Sequence, residues 1–236
     1  MTMADVTLAA RRGAHLVLKG VLPRPARRQL RTLLGWREEP WCRVVMNAKI
    51  LEFVSSLPAA ELDVVEISGT RWGKPEYGFR SYLRLEYPDY DVCTEPYGHD
   101  MCDLVFAEQV FEHVEDPERA TANVLAMLRP GGTFVISTPF ILKFHPIPRD
   151  FSRWTEEGMR AMLARAGFTD IETSSWGNRK CIAADMYPGM NWRSYNAYLH
   201  SLKNEAQFPV MIWAFARKPR EDGAGEAGPA AASPGA

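Results

Sequence analysis

Residues 103–140 read DLVFAEQVFEHVEDPERATANVLAMLRPGGTFVISTPF, and this stretch decides the fold. DLVFAEQV (103–110) is a short, nearly continuous apolar run, as expected of a strand buried on both faces of a parallel sheet. From Asp116 to Leu128 the pattern turns helical, with Asp116 placed to cap the first turn, Pro117 at the first helical position and RPGG as the stop. TFVISTPF (133–140) then reads as the next strand. Working outward, LDVVEIS (62–68) has the same buried-strand character. TEEGMRAMLARAGF (155–168) has helical periodicity, with Thr155 ahead of two glutamates and Gly167 as its stop. TDIETSSW (169–176) and FPVMIWAFARK (208–218) supply two further strands. Strands alternating with helices mean an α/β protein.

The 236 residues are 46% hydrophobic and 24% charged, the balance of a globule able to bury its own core, and the formal net charge of -1 argues against a dedicated nucleic-acid binder. Cys42, Cys93, Cys102 and Cys181 show no C-x-x-C or histidine-rich spacing, so no metal is expected and reduced thiols in a cytoplasmic protein are. No apolar run approaches the roughly 20 residues that span a bilayer, and MTMADVTLAARRG is unlike a secretory signal. Charge is uneven: residues 1–43 carry nine basic and three acidic side chains. Arg24, Arg27, Arg28 and Arg31 recur at helical spacing with Leu30, Leu33 and Leu34 on another face. The plain reading is a solvated amphipathic helix; contact with an anionic substrate, partner or membrane surface is the alternative. Trp41, Val44, Val45, Ile50, Leu51 and Val54 fit a buried helical face ended by Pro58. The expected organisation is a helical cap over 1–57, an α/β domain over 58–220 and a disordered tail rich in Gly, Ala and Pro over 221–236.

In an open α/β sheet the ligand crevice lies at the carboxyl ends of the strands. Glu66 ends the first strand and is followed by Ser68, Gly69, Thr70 and Gly73, small residues that let a ligand approach the backbone. Glu86 comes 20 residues later, the offset at which a carboxylate binds ribose hydroxyls. His113, in a strand-to-helix turn, fits a fold-capping hydrogen bond better than catalysis. Trp154, Trp176, Trp192, Tyr187, Tyr195 and Tyr198 suit either a pocket for a flat small molecule or core packing.

From Leu62 to Lys218 the ordered series of motifs resembles the class I S-adenosylmethionine-dependent methyltransferases. DLVFAEQVFEHVEDP (103–117), LRPGGTFVISTP (128–139) and GF (167–168) are similar to that family's fourth strand, following helix and fifth strand. EISGTRW (66–72), EYP (86–88), RWTE (153–156), SWGNR (175–179) and HSLKNE (200–205) resemble a bacterial subgroup to which no substrate attaches. The resemblance implies a Rossmann-like, doubly wound, mostly parallel sheet with an antiparallel last strand. It further implies that Glu66, Ser68, Gly69, Thr70 and Gly73 face the methionine end of S-adenosylmethionine and that Glu86 holds the ribose. Asp91 would meet the adenine with Val92 and Cys93 beside it, and Glu108 and Gln109 would line the crevice. FHPIPRDFSRW (144–154) then falls where the methyl acceptor binds. There His145 is a candidate base, Asp150 can orient it and Arg153 can pair with an anion; the alternative is that Asp150 and Arg153 merely pair with each other.

Two departures from the family pattern carry structural expectations. Ser68, Thr70 and Trp72 stand where the family's E-x-G-x-G-x-G loop has glycines, and only five positions separate Glu86 from Asp91, which predicts a trimmed sheet. The expected function is methyl transfer to an oxygen or nitrogen of a small molecule, a sugar or secondary metabolite, in a protein compatible with a homodimer. A catalytically silent, partner-binding subunit of the same fold is the alternative. A nicotinamide dehydrogenase is excluded by the missing G-x-G-x-x-G.

Overall fold

The computed structural model describes residues 23–187 and 192–220. The basic residues before position 23 and the tail expected over 221–236 lie outside the described residues. The chain runs α1 (Arg24–Leu33), β1 (Trp36–Pro40), α2 (Val44–Ser55), β2 (Asp63–Ile67), β3 (Ser81–Leu85), β4 (Cys102–Glu108), α3 (Pro117–Met127), β5 (Leu128–Pro139), α4 (Glu156–Ala166), β6 (Thr169–Trp176), α5 (Arg179–Asp185), β7 (Ser194–Asn196) and β8 (Met211–Arg217). Six strands form the main sheet in the order β3-β2-β4-β5-β8-β6, and β1 pairs with β7 in a separate two-stranded ribbon. β3, β2, β4 and β5 are parallel to one another, while β8 runs antiparallel to both neighbours, β5 and β6. This is the Rossmann-like arrangement expected, with the reversed last strand inserted between β5 and β6.

Period-2 alternation splits the strands' side chains between two cores. Val65, Ile67, Val105, Ala107, Phe134 and Ile136 face α3 and α4, which answer with Ala120, Val124, Met127, Met159, Met162 and Leu163. Val64, Leu104, Phe106 and Val135 face the other way, onto Met46, Ile50 and Val54 of α2 and Cys181 of α5. The helix ends follow their sequence signals. The Asp116 side chain accepts from Arg119 N at 3.0 Å, and Thr155 Oγ1 accepts from Gly158 N at 3.1 Å. Gly167 closes α4 in the left-handed region at φ 102°. RPGG differs from expectation: the helix stops at Met127 and the strand already begins at Leu128, and the register between β4 and β5 slips across the Leu128–Thr133 stretch that contains the two glycines.

The trimming expected beyond Glu86 is visible: β3 is the sheet edge, and no α-helix separates β2 from β3 or β3 from β4. At the amino ends of the strands an ionic brace replaces the missing elements. Arg80 donates to Asp63 at 2.9 and 2.5 Å, Arg129 donates to Asp103 at 2.8 Å, and Asp63 N donates to Asp103 at 2.8 Å. These contacts hold the Asp63 carboxyl well below its ordinary range, the Arg80 hydrogen bonds first among the causes. α1 is different in kind: none of its residues is buried, and Leu33 is 76% exposed. No helix among the described residues is long and apolar enough to cross a membrane.

Candidate active site

The order β3-β2-β4-β5 places a topological switch point between β2 and β4, because the chain leaves β2 toward β3 on one side and leaves β4 toward β5 on the other. A crevice opens where such loops diverge. Three carboxylates stand there: Glu66 in β2, Glu86 just past β3 and Glu108 at the end of β4.

Glu66 is buried and fully engaged by the protein. One oxygen accepts from Arg71 N at 3.0 Å; the other accepts from Trp72 N at 3.0 Å and from the Tyr82 hydroxyl at 2.6 Å. The carboxylate therefore folds the 68–73 loop back on β2. Gly69 is required by this carboxylate, since a Cβ would lie 2.1 Å from Glu66 Oε1, and one at Gly73 would lie 2.5 Å from the Tyr82 ring. Thr70 is exposed. Ser68 takes the left-handed conformation at φ 50°, donates its N–H to Leu85 O at 2.7 Å, and so clips the loop to the end of β3.

Trp72 is wholly buried; it stacks on Phe106 at 4.6 Å between ring centroids and donates its indole N–H to Glu108. Burial raises the Glu108 pKa, against the opposing pull of Arg71 and the Trp72 hydrogen bond. Gln109 follows in the left-handed region at φ 57°, with its Nε2 toward Ser137 Oγ at 3.3 Å and its Oε1 buried without a partner. Glu86 is half-exposed and ion-paired with Arg84. Asp91 Oδ1 accepts from Cys93 N at 2.9 Å, Val92 is in the core, and the Cys93 sulfur lies 3.8 Å from Asp116 O.

In the 144–154 segment, Asp150 and Arg153 meet in a two-point contact, and Asp150 also accepts the His145 backbone N–H at 2.9 Å. Asp150 thus hydrogen-bonds the loop's backbone, and its charge reaches the imidazole only as an electrostatic pull. Burial raises its pKa, but the Arg153 and His145 hydrogen bonds prevail and hold it below its ordinary value. Burial lowers the His145 pKa, and its Nε2 has no partner. The His145 ring sits edge-on to Trp192 at 5.5 Å and to His113 at 5.0 Å. Among the aromatics weighed for a pocket, Trp176 belongs to the buried core and Tyr198 is 77% exposed.

Several groups of the site were not singled out in the sequence. Arg43, just ahead of α2, lies 4.5 Å from the Trp192 ring centroid and is attracted by Glu108 and Glu112, and burial lowers its pKa. Glu112 is completely buried, and that burial pushes its pKa up to about 8. Tyr82 and Arg71 shape the Glu66 loop. Arg71 and Glu112 lie within motifs already quoted, but nothing in the motifs marks their roles, and Arg43 and Tyr82 reach the site through tertiary packing. The groove beside α1, by contrast, is lined by Arg24, Arg27, Arg28, Arg31, Trp36 and Glu38 and by no residue from the strand ends.

Residues 59–136 match the family model described as a methyltransferase domain, a span that runs from just before β2 into β5. A probable S-adenosylmethionine-dependent methyltransferase of Mycolicibacterium smegmatis is 32% identical over 71 residues, covering 28% of this chain and 28% of that protein. Two solved structures share the fold. One is phosphoethanolamine N-methyltransferase 2 of Haemonchus contortus in complex with S-adenosyl-L-methionine, with TM-score 0.52, 13% identity and coverage of 75% of this chain and 53% of that one. The other is a SAM-dependent methyltransferase of Archaeoglobus fulgidus, with TM-score 0.51, 14% identity and coverage of 75% and 94%.

Proposed function

We propose that this chain, a class I S-adenosylmethionine-dependent methyltransferase by its sheet order and by the family match over residues 59–136, moves a methyl group from that cofactor to an oxygen or nitrogen of a small molecule. The observation that carries the reading is the set of groups at the switch point: a half-exposed carboxylate, Glu86, at the end of β3, and an unpartnered amide oxygen, Gln109 Oε1, at the end of β4. Such acceptors fit the hydroxyls of a ribose and the ammonium of a methionine moiety.

When bound, the cofactor supplies a sulfonium methyl already activated for displacement, which leaves alignment and water exclusion to the protein. Glu86 accepts the ribose hydroxyls. The Ser68–Gly73 loop, held in shape by Glu66, borders the methionine end, and Asp91, Val92 and Cys93 border the adenine. Trp72 on Phe106 keeps water out of the crevice floor. The Asp150–Arg153 pair fixes the loop that carries His145, the candidate base, whose Nε2 is buried and has no partner within the protein. The altered loop favours a second reading, since Ser68, Thr70 and the wholly buried Trp72 stand where the resembled family has glycines: a catalytically silent subunit of the same fold that binds a partner.

Calorimetric titration with S-adenosylhomocysteine separates the two. Methyl transfer requires binding in the micromolar range, weakened at least tenfold in Glu86→Ala, the equivalent of a charge-assisted hydrogen bond of about 1.5–3 kcal/mol. Wild-type protein that folds but binds none supports the silent subunit, and unchanged affinity in the variant removes Glu86 from the site.

A further inference from the structure

Behind the acceptor loop lies a buried carboxylate that the proposed reaction does not use. Glu112 is 0% exposed, and neither of its oxygens has a hydrogen-bond partner. A carboxylate in such a place is costly unless a cation compensates it. The arginines nearby do not hydrogen-bond it: Arg153 is engaged by Asp150 and by Ser152 O, and Arg43 lies against Trp192. The Glu112 backbone is fixed, its carbonyl accepting Phe151 N at 2.7 Å and so joining this turn to the acceptor loop.

Two imidazoles converge on the same point. His113 Nδ1 contacts the Arg149 carbonyl, which can only accept, so that nitrogen carries the proton and the Nε2 lone pair is free. Nε2 stands 3.7 Å from Glu112 Oε1, beyond hydrogen-bond reach. His145 contributes an Nε2 that is buried and without a partner. One ligand atom from each of the three residues lies within 4.8 Å of the other two. Metal–ligand bonds of about 2.0–2.2 Å place neighbouring ligand atoms roughly 3.3 Å apart in a tetrahedron, so small side-chain rotations close the set. A ligating histidine ordinarily gives its other N–H to a carbonyl or carboxylate, as His113 does to Arg149.

The geometry points to a binding site for one divalent transition-metal ion, Zn2+ as the first choice, held by Glu112, His113 and His145. Two imidazoles and one carboxylate neutralise half the ion's charge and leave a coordination position for water or another ligand. That this open position faces the methyl acceptor, where the ion would lower the pKa of an acceptor hydroxyl, rests on the function proposed above; the binding of the ion does not. The sequence conceals the site because 31 residues separate His113 from His145 and no short spacing marks the three together.

The test uses full-length protein stripped with EDTA, dialysed and titrated with Zn2+, with bound metal counted by mass spectrometry and S-adenosylhomocysteine affinity measured in parallel. One equivalent should bind with a micromolar or tighter Kd. Co2+ in its place should give visible absorption characteristic of a low-coordinate site. His113→Ala, His145→Ala and Glu112→Gln should each weaken Zn2+ at least tenfold while S-adenosylhomocysteine affinity changes less than twofold. Should Glu112→Gln fail to fold, His145→Ala, on a loop, decides alone. Binding well below one equivalent overturns the proposal, as does stoichiometric binding that survives the histidine variants. Zn2+ binding without S-adenosylhomocysteine binding refutes the methyltransferase reading and leaves the metal site standing.

Discussion

Glu66 shows how one carboxylate can hold the shape of a whole loop at the end of a strand. Its two oxygens accept three hydrogen bonds from Arg71, Trp72 and Tyr82, and the absence of a Cβ at Gly69 exists for its sake. Burial with complete satisfaction makes it a structural anchor of the 68–73 loop. Glu66→Gln puts an NH2 where one oxygen accepts, leaving at least one buried donor facing another. The expected loss is about 1–3 kcal/mol of folding stability, read from urea denaturation with unchanged m-value. An unchanged midpoint would mean the loop is not held by this carboxylate. At this scale the sequence was legible where chemistry is local: Asp116, Thr155 and Gly167 announce caps and stops that depend on neighbours three or four positions away. It was not legible for Arg43, Trp72 or Glu112, whose environments are assembled by residues distant in the chain. Gly69 and Gly73 announced a tight place correctly, but the groups that fill it, Glu66 and Tyr82, are the protein's own.

Among the elements, α1 and α2 illustrate two uses of amphipathic pattern. α2 buries Met46, Ile50 and Val54 against the sheet and is therefore part of the core, although the sequence alone groups it with α1 in one N-terminal cap. α1 buries nothing, its leucines lie open, and its arginines line a groove of their own. Hydrophobic burial is the main source of helix stabilisation in a folded protein, so the sheet should not depend on α1. Deletion of residues 1–34 should leave a single cooperative melt with a midpoint close to that of the full chain, followed by far-UV circular dichroism. Loss of the cooperative transition would place α1 inside the folding unit. Strand identities were readable because buried parallel strands are continuous apolar runs, and the trimmed edge was readable because five residues between Glu86 and Asp91 cannot hold a helix and a strand. The β1–β7 ribbon was not readable, since its pairing joins segments separated by more than 150 residues.

On the scale of the molecule, the two ends of the sheet have opposite characters. The amino ends are knitted by Asp63, Arg80, Asp103 and Arg129, where every charge has an opposite neighbour. The carboxyl ends hold Ser68 and Gln109 in left-handed conformations and Glu112 buried and unpartnered, although Asp100 and Asp170, near the amino ends of β4 and β6, take left-handed conformations as well. The proposed placement of S-adenosylmethionine and its product is across the switch point between β2 and β4. Hydrogen–deuterium exchange with and without saturating S-adenosylhomocysteine tests it most directly. Binding there should add protection in 67–73, 86–93 and 108–113, with none in α1 or in the brace around Asp63 and Arg80; absent protection, or protection confined to the α1 groove, would contradict this placement.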